Sequence, residues 1–427
     1  MDWNEAIALL HGANWKHTKI GLERMRDFMH ALGDPQEKLR YVHIAGTNGK
    51  GSACVMTQSI LTAAGFRTGL YISPHLDQFN ERLSIDGQMI SDTELRRLAA
   101  RVRAAAETLG EEPTDFEMIT AMAFCWFEEQ RCDLVVLEVG MGGRLDATNV
   151  ISAPEVCAIM HIGLDHTEFL GDTVEKVAAE KAGILKPGAD CVLYHQLPGV
   201  MEVVQKRFAD VNPDAAARLV TTDPAAFTAR ARSIDGQVFD YRKRRNLRIQ
   251  LLGNYQMENA MAVLDIIDCL QRRGFGISED AIRTGLIRAS WPGRFELLSR
   301  TPLLIVDGAH NPNGVEALVD TIRTYFPDQK INFVMGVMKD KDYHTMLRLI
   351  APYAARFITE LPDAHRALRP EELKSEIRTY FDGPVETADS VTAAVQRAME
   401  IAEGSAAITI CFGSLYQVAE IRRFFRK

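Results

Sequence analysis

The sequence has no uninterrupted apolar stretch approaching the ~18–20 residues that a membrane-crossing helix needs, so no membrane span is expected. It has no excess of positive charge either. Its 49 Lys and Arg stand against 57 Asp and Glu, a formal net charge of −8. That balance does not fit broad nucleic-acid binding, and any anionic substrate must be held by a local positive site. The first residues, MDWNEAIALLHGANW, lack the basic stretch and apolar core of a secretory leader. The seven cysteines are odd in number, and none pairs in CxxC spacing. Most sit in apolar runs such as AMAFCWF, so they read as reduced core thiols of a cytoplasmic protein. No short-period repeat and no low-complexity segment is present. One basic run, Arg242-Lys243-Arg244-Arg245, lies between FDY and LRIQLLG and reads as a solvated hairpin or loop.

What is present is ordinary globular composition, 47% hydrophobic and 25% charged over 427 residues, a length that favours two or three domains. Short Val- and Ile-rich runs recur, each followed by Gly or polar residues: YVHIAG (41–46), TGLYIS (68–73), DLVVLEVG (133–140), VCAIMHIG (156–163) and DCVLYH (190–195). Helical patterns such as ACVMTQSILTAAG separate them. This alternation predicts an α/β fold with a mostly parallel sheet covered on both faces. A second series follows WPGRF: PLLIVDGAH (302–310), INFVMGVM (331–338), RFITEL (356–361) and AAITICFGS (406–414). A boundary near 294–298 therefore divides a larger domain, 1–295, from a smaller one, 296–427.

Between the apolar run YVHI and the helical pattern SACVMTQSILTAAG lies Gly46-Thr47-Asn48-Gly49-Lys50-Gly51-Ser52. Strand, glycine-rich loop and helix in that order suit phosphate. Glycines let backbone N–H groups converge, the helix N-terminus adds positive potential, and a lysine supplies a full charge. The match to the general phosphate-loop pattern is imperfect, because Ile44 replaces its first glycine and Gly51 separates Lys50 from the hydroxyl of Ser52. The bland alternative is a tight turn with an exposed lysine. A nucleotide site alone fits kinases, switches and ligases equally.

Further polar groups follow the ends of other apolar runs, the edge where open α/β sheets bind ligands. Ser73, Glu138 and His166 could meet one divalent cation. A carboxylate and a hydroxyl suit Mg²⁺, while a histidine would also suit Mn²⁺. Taken singly, Ser73 before Pro74 is a turn residue and His166 a surface or capping residue. Glu138, inside VVLEV, must be paired, protonated or metal-bound. By pattern alone Lys181, in VEKVAAEKAG, is a surface lysine of a helix. Asp307-Gly308-Ala309-His310 and Gly413-Ser414 end runs of the second series, and polar loops on both domains point to a site in a cleft.

Together the strings AGTNGKGS, SPHL with FNERLSIDG, LEVGMGGRLDATN, GLDHTEFLG, EKAGILKPG, WPGRFE, VDGAHNPNG and FGSLYQVAEIR resemble the folylpolyglutamate synthase and dihydrofolate synthase family, a branch of the Mur ligases. They run in family order from residue 44 to 424. The resemblance implies a Mur-type ATP-binding domain followed by a Rossmann-like glutamate-ligase domain. It implies ATP contacts from Thr47, Asn48, Gly49, Lys50, Gly51 and Ser52, joined by Asn259, Arg294 and Asp307. It implies magnesium ligands at Ser73, Glu138 and His166, with Lys181 as a carbamate that completes the metal site. CO₂ adds only to a neutral amine, so this last role requires a depressed lysine pKa. The pterin end of the folate would lie near Thr114, Asp115, Phe116, Glu117, Leu145, Asp146 and Ala147. There Phe116 would stack on the ring, and Glu117 or Asp146 would accept its N–H groups. His310 and Ser414 would lie by the incoming glutamate, with His310 as a candidate base.

The activity so implied is an ADP-forming ligase. A carboxylate attacks the γ-phosphate of ATP, and glutamate's amine then displaces phosphate from the acyl phosphate. A bifunctional enzyme, adding the first glutamate to dihydropteroate and further glutamates to tetrahydrofolates, is expected. A monofunctional folylpolyglutamate synthase, another Mur-type amino-acid ligase, an NTPase switch and a nucleotide-binding protein without turnover are the alternatives. The resemblance also implies a cytoplasmic monomer that acts on small molecules.

Overall fold

The computed structural model describes residues 21–214, 217–364 and 366–426. The amino-terminal stretch, residues 1–15, lies outside these residues. The chain forms two compact units that interleave in sequence. Unit 1 comprises the chain up to Thr228 with Asp240–Leu247 and Glu258–Ala289. Unit 2 comprises Ala229–Phe239, Arg248–Met257 and Ser290 onward.

In unit 1 the strands β1 (Tyr41–Ala45), β2 (Thr68–Tyr71), β3 (Leu83–Ile85), β4 (Gln88–Met89), β5 (Leu134–Glu138), β6 (Val156–Ile159), β7 (Asp190–Leu193) and β8 (Leu219–Thr221) form one sheet. Their order is β4-β3-β2-β5-β1-β6-β7-β8. All pairs are parallel except the edge pairs β2–β3 and β3–β4. Every residue of β1, β5, β6 and β7 is buried, as strands covered on both faces must be.

Counting helices of eight residues or more, unit 1 carries α1 (Glu23–Ala31), α2 (Lys50–Ala63), α3 (Asp92–Ala106), α4 (Asp115–Glu129), α5 (Val174–Lys181) and α6 (Pro198–Val211). It also carries most of α7 (Asn254–Arg272) and all of α8 (Glu279–Arg288). One apolar core joins α1, α3 and α4 to the sheet through Phe28, Leu98, Phe124 and Leu137. A second lies under α5 and α6 around Val177, Val204 and Leu193. Helices α2 and α8 pack closely, because Gly285 has no side chain to hold off Ile60 and its carbonyl accepts from Ser59 Oγ at 2.8 Å. The chain leaves β1 for β2 on one side of it and later lays β6 on the other, so the end of β1 is a topological switch point.

A three-stranded sheet follows, with β9 (Phe227–Ser233), β10 (Gly236–Tyr241) and β11 (Arg244–Ile249) in the order β11-β10-β9. The basic run at 242–245 covers the turn between β10 and β11 and the first two residues of β11, and the expectation of a solvated face fails for Arg242 and Arg244. Arg244 is buried and pairs with Asp268 and Glu279, while Arg242 pairs with buried Asp265. Acids from α7 and α8 claim these guanidinium groups, and Lys243 and Arg245 alone of the four are exposed.

Unit 2 holds β12 (Glu296–Arg300), β13 (Leu303–Val306), β14 (Ile331–Met335), β15 (Ala354–Thr359), β16 (Val385–Thr387) and β17 (Ile408–Phe412), in the order β12-β13-β17-β14-β15-β16. Only β12 runs antiparallel to its neighbour. Helices α9 (Pro312–Tyr325), α10 (Tyr343–Ile350), α11 (Pro370–Ile377), α12 (Val391–Ala402) and α13 (Leu415–Phe425) complete it. Its core gathers Ile305, Phe333, Phe357, Ile410 and Phe412 with residues of α9, α10 and α11.

Candidate active site

The glycine-rich loop follows β1 at the switch point, and Lys50 opens α2. Gly49 caps that helix at φ +85°, and a Cβ there would lie 2.5 Å from Asn259 Oδ1. Backbone freedom and close approach both require glycine at this position. The loop is tied to the segment after β6. Thr47 N and Asn48 N donate to the His161 carbonyl at 2.8 and 3.2 Å, and Thr47 Oγ1 donates to Gly163 O at 3.0 Å. The first intrahelical bond of α2 is Ala53 N to Gly49 O at 2.9 Å. The N–H groups of Lys50, Gly51 and Ser52 precede it, and these are the donors that a helix start offers an anion. Lys50 Nζ folds back on the loop and donates to the carbonyls of Gly46 and Thr47 at 3.0 and 3.3 Å.

Beside the loop, Glu138 ends β5 as the register partner of Ile44. It is 4% exposed, and its Oε2 accepts from Ser73 N at 3.0 Å. Sheet pairing thus brings three expected features together: the loop, Glu138 and Ser73. Lys181 is not the surface residue that its local pattern implied. It is 4% exposed, and burial first, then the Lys50 charge, bring its pKa down to about 7. The physical reason is its helix face, since Val177, Ala178 and Lys181 are the buried residues of α5. The GMGGR loop packs on that helix end. A side chain on Gly143 would meet the carbonyls of Glu180 and Lys181, and Arg144 N donates to Glu180 O at 2.8 Å. His166 is exposed, with φ +48°, and its ring faces Asp165 at 3.8 Å.

Thr114 caps α4 in a reciprocal box with Glu117. Arg24 holds both oxygens of that glutamate, at 2.9 and 3.0 Å. Glu117 therefore anchors helices α1 and α4 in addition to any contact with a ring. Phe116 is half-buried between Tyr71 and Gly140, where a Cβ on the glycine would run into its ring. Asp115 and Leu145 are half-buried and Ala147 is buried. Buried Asp146 accepts from Met141 N at 2.9 Å and Thr148 N at 3.0 Å, and burial raises its pKa.

In unit 2, Asp307 follows β13 and accepts from Phe295 N and Ala309 N, both at 2.8 Å. Burial raises its pKa and Arg294 opposes the rise. The Arg294 guanidinium lies over Gly308, where any side chain would collide with it. His310 Nδ1 faces the Gly308 carbonyl at 2.7 Å, so that nitrogen is the donor. Ser414 is buried and caps α13, accepting from Tyr416 N at 3.2 Å. The two loops are joined by Gly413 N donating to Ala309 O at 2.9 Å.

The Mur ligase middle domain model matches residues 44–267, and the Mur ligase glutamate ligase domain model matches 293–415. A dihydrofolate synthase/folylpolyglutamate synthase of Bacillus subtilis is 34% identical over 99% of this chain and 98% of its own. A Mycobacterium tuberculosis folylpolyglutamate synthase structure, complexed with ADP and AMPPCP, superposes with a TM-score of 0.86. It is 30% identical and covers 100% of this chain and 99% of that one. Escherichia coli FolC in complex with DHPP and ADP gives 0.85 at 28% identity, covering 100% and 98%. The chain belongs to the folylpolyglutamate synthase and dihydrofolate synthase family of Mur ligases. It is an ATP-dependent, ADP-forming ligase that joins an acid to an amino acid.

Sequence reasoning missed two residues of this ligase. Half-buried Arg82 donates from Nε to His75 Nδ1 at 2.9 Å. Burial works against its charge, which Tyr71 and Glu138 favour. It sits within FNERLSIDG, where a charged residue beside an apolar strand was the available signal. Tyr255 folds its ring over Gly253. Its phenol is pushed up by burial and by Asp307. Nothing local in GNYQMEN marks it, because its partners lie some fifty residues later in the chain.

Proposed function

We propose that this ligase uses ATP to join L-glutamate to a pteroate or folate carboxylate, acting both as dihydrofolate synthase and as folylpolyglutamate synthase. The observation that carries the reading is the register of β1 and β5. It sets a buried carboxylate, Glu138, beside the turn that bears Lys50 and the helix-start N–H groups of α2. Names of full-length relatives support the choice of acid and amino acid. The domain at 1–295 would serve the nucleotide and that at 296–427 the glutamate. The enzyme would work as a cytoplasmic monomer on small molecules, with no nucleic-acid or membrane partner.

The acid's oxygen attacks the γ-phosphorus and ADP leaves. The helix-start N–H groups and Lys50 would hold the phosphate oxygens and take up the charge that develops on them. Asn259, Arg294 and Asp307 would position the rest of the nucleotide. Glutamate's neutral amine then attacks the acyl carbon of the acyl phosphate, inorganic phosphate departs with the C–O electron pair, and the amide nitrogen sheds its proton. His310 would receive it. Phe116 offers a ring face to the pterin, and Asp146 and Glu117 offer acceptors near it.

Glu138 and Ser73 suit magnesium, or manganese in its place, while among the described residues no three His, Cys, Asp or Glu side chains cluster as metal ligands. Glu138 is a hard carboxylate in an apolar strand with Ser73 beside it, and buried Lys181 has the lowered pKa that carbamate formation needs. Ser73, Glu138, His166 and carbamylated Lys181 would hold the ion, which would neutralise phosphate charge during transfer.

The test is ligation by wild type and Lys50→Ala with ATP, Mg²⁺, glutamate and dihydropteroate, with nucleotide products resolved. Wild type should release ADP and phosphate, and Lys50→Ala should lose at least ~10³-fold in turnover. Pyrophosphate as a product, or undiminished turnover in the variant, would overturn the reading.

A further inference from the structure

Glu360 follows β15 directly in unit 2 and is fully enclosed, with 0% of its surface exposed. Among the described residues neither carboxyl oxygen has a hydrogen-bond partner. An ionised carboxylate cannot persist in such surroundings. Burial therefore holds the group as the neutral acid, well above the ordinary carboxylate range, and the Glu420 charge adds to the effect. Among the described residues, the titratable groups that act on it are Glu420 on α13 and Cys411 on β17, and neither favours its ionisation. A leucine or methionine would fill the same space without desolvating a carboxyl group, so stability does not explain an acid here.

Its neighbours connect it to the candidate glutamate loops. Thr359 pairs with Met335, which sets Glu360 beside Gly336 at the carboxyl edge of the sheet. A Cβ on Gly336 would run into Glu360 Oε1, with Pro362 Cγ 2.7 Å away, so the carboxyl group takes the space of a missing side chain. Gly413 stands at φ +118°, and a Cβ there would run into the Gly336 carbonyl oxygen, so the two glycines approach closely. Gly413 bonds to Ala309 and precedes Ser414. The segments on either side are pinned to each other by Leu368 N to Val337 O at 2.8 Å and Lys339 N to Arg366 O at 2.9 Å.

We propose that Glu360 is a positioning residue for the amino-acid half of the reaction: seated under Gly336, it fixes the Gly336–Gly413 contact and, through it, the placement of Ser414 and His310. The proposal rests on the reading of those two residues as the glutamate site. Ionisation draws the side chain toward water, loosens that contact and weakens glutamate binding. A glutamine keeps the shape of the neutral acid and cannot ionise.

The experiment measures kcat and the KM values for glutamate and ATP from about pH 6 to about pH 9.5, in wild type and Glu360→Gln, with thermal melting alongside. In wild type the glutamate KM should climb at least ~5-fold at the alkaline end while the ATP KM moves less than ~2-fold. In Glu360→Gln the glutamate KM should stay flat. A raised carboxyl pKa costs stability as pH rises above the unfolded value near 4.5, so the variant should melt progressively higher than wild type toward alkaline pH. The same alkaline climb in both proteins, or glutamate and ATP KM values that rise together, overturns the proposal. Ser414→Ala separates the underlying reading. An unchanged glutamate KM in that variant refutes the glutamate-site assignment, whereas the melting comparison still decides the ionisation of Glu360.

Discussion

Lys181 shows how one residue can be misread locally and read correctly from its neighbours. In VEKVAAEKAG it alternates with acids like a solvated lysine, yet Val177, Ala178 and Lys181 share one buried helix face. Its pKa of about 7 lies below the ordinary lysine value, so the unfolded chain binds more protons than the native protein between about pH 7 and about pH 10.5. Stability from this group therefore rises with pH through that window, and the full penalty is felt below it. Lys181→Met should raise the melting temperature in CO₂-free buffer, by the equivalent of a few kcal/mol near pH 6.5 and by much less near pH 10. The variant should also lose ligation. Melts at the two pH values check this, and an equal gain at both would show that Lys181 titrates normally.

At the scale of elements, the strands legible in the sequence are those buried on both faces. The runs at 41, 68, 134, 156 and 190 became β1, β2, β5, β6 and β7, and the four runs of the second series became β13, β14, β15 and β17. Short or half-exposed strands were not legible. The four exposed positions in a row that end β9, FTARARS, give no apolar run to find, and β3, β4, β8 and β16 have two or three residues each. The candidate phosphate loop stands out in the sequence because its glycines and lysine fall between two periodic patterns. Asn259, in contrast, enters the site because α7 meets Gly49, and only folding brings the two together. Strand β1 also carries His43, fully buried, with Nε2 2.9 Å from Thr148 Oγ1 and, among the described residues, no partner for Nδ1. Burial lowers its pKa to about 3. The unfolded chain takes up a proton below about pH 6.5 that the native protein refuses until about pH 3, so stability is lost as the pH drops from about 6.5 to about 3. The loss is roughly 1.4 kcal/mol per pH unit from this group alone. His43→Gln should flatten that acid limb. Urea unfolding at about pH 7 and about pH 5 reads the difference, and an equal loss in both proteins would clear His43 of the effect.

The whole molecule places its polar motifs at the carboxyl edges of two largely parallel sheets, which is why each motif followed an apolar run and could be found in order. The interleaving of the two units in sequence was not legible, because β9 to β11 and the start of α7 change unit without a composition shift or a linker. Substrate range is settled at this scale too. The sequence has one phosphate loop of this kind, and an acid can be activated only if its carboxylate reaches the γ-phosphate held there. Dihydropteroate and tetrahydrofolate, if both are substrates, must then occupy the same acid site in turn. In a parallel assay with ATP, Mg²⁺ and glutamate, both should be ligated, and each should inhibit ligation of the other competitively with an inhibition constant equal to its own KM. Ligation of tetrahydrofolate alone would make the enzyme a monofunctional folylpolyglutamate synthase. Ligation of both without mutual competition would require a second acid site that a single γ-phosphate position does not allow.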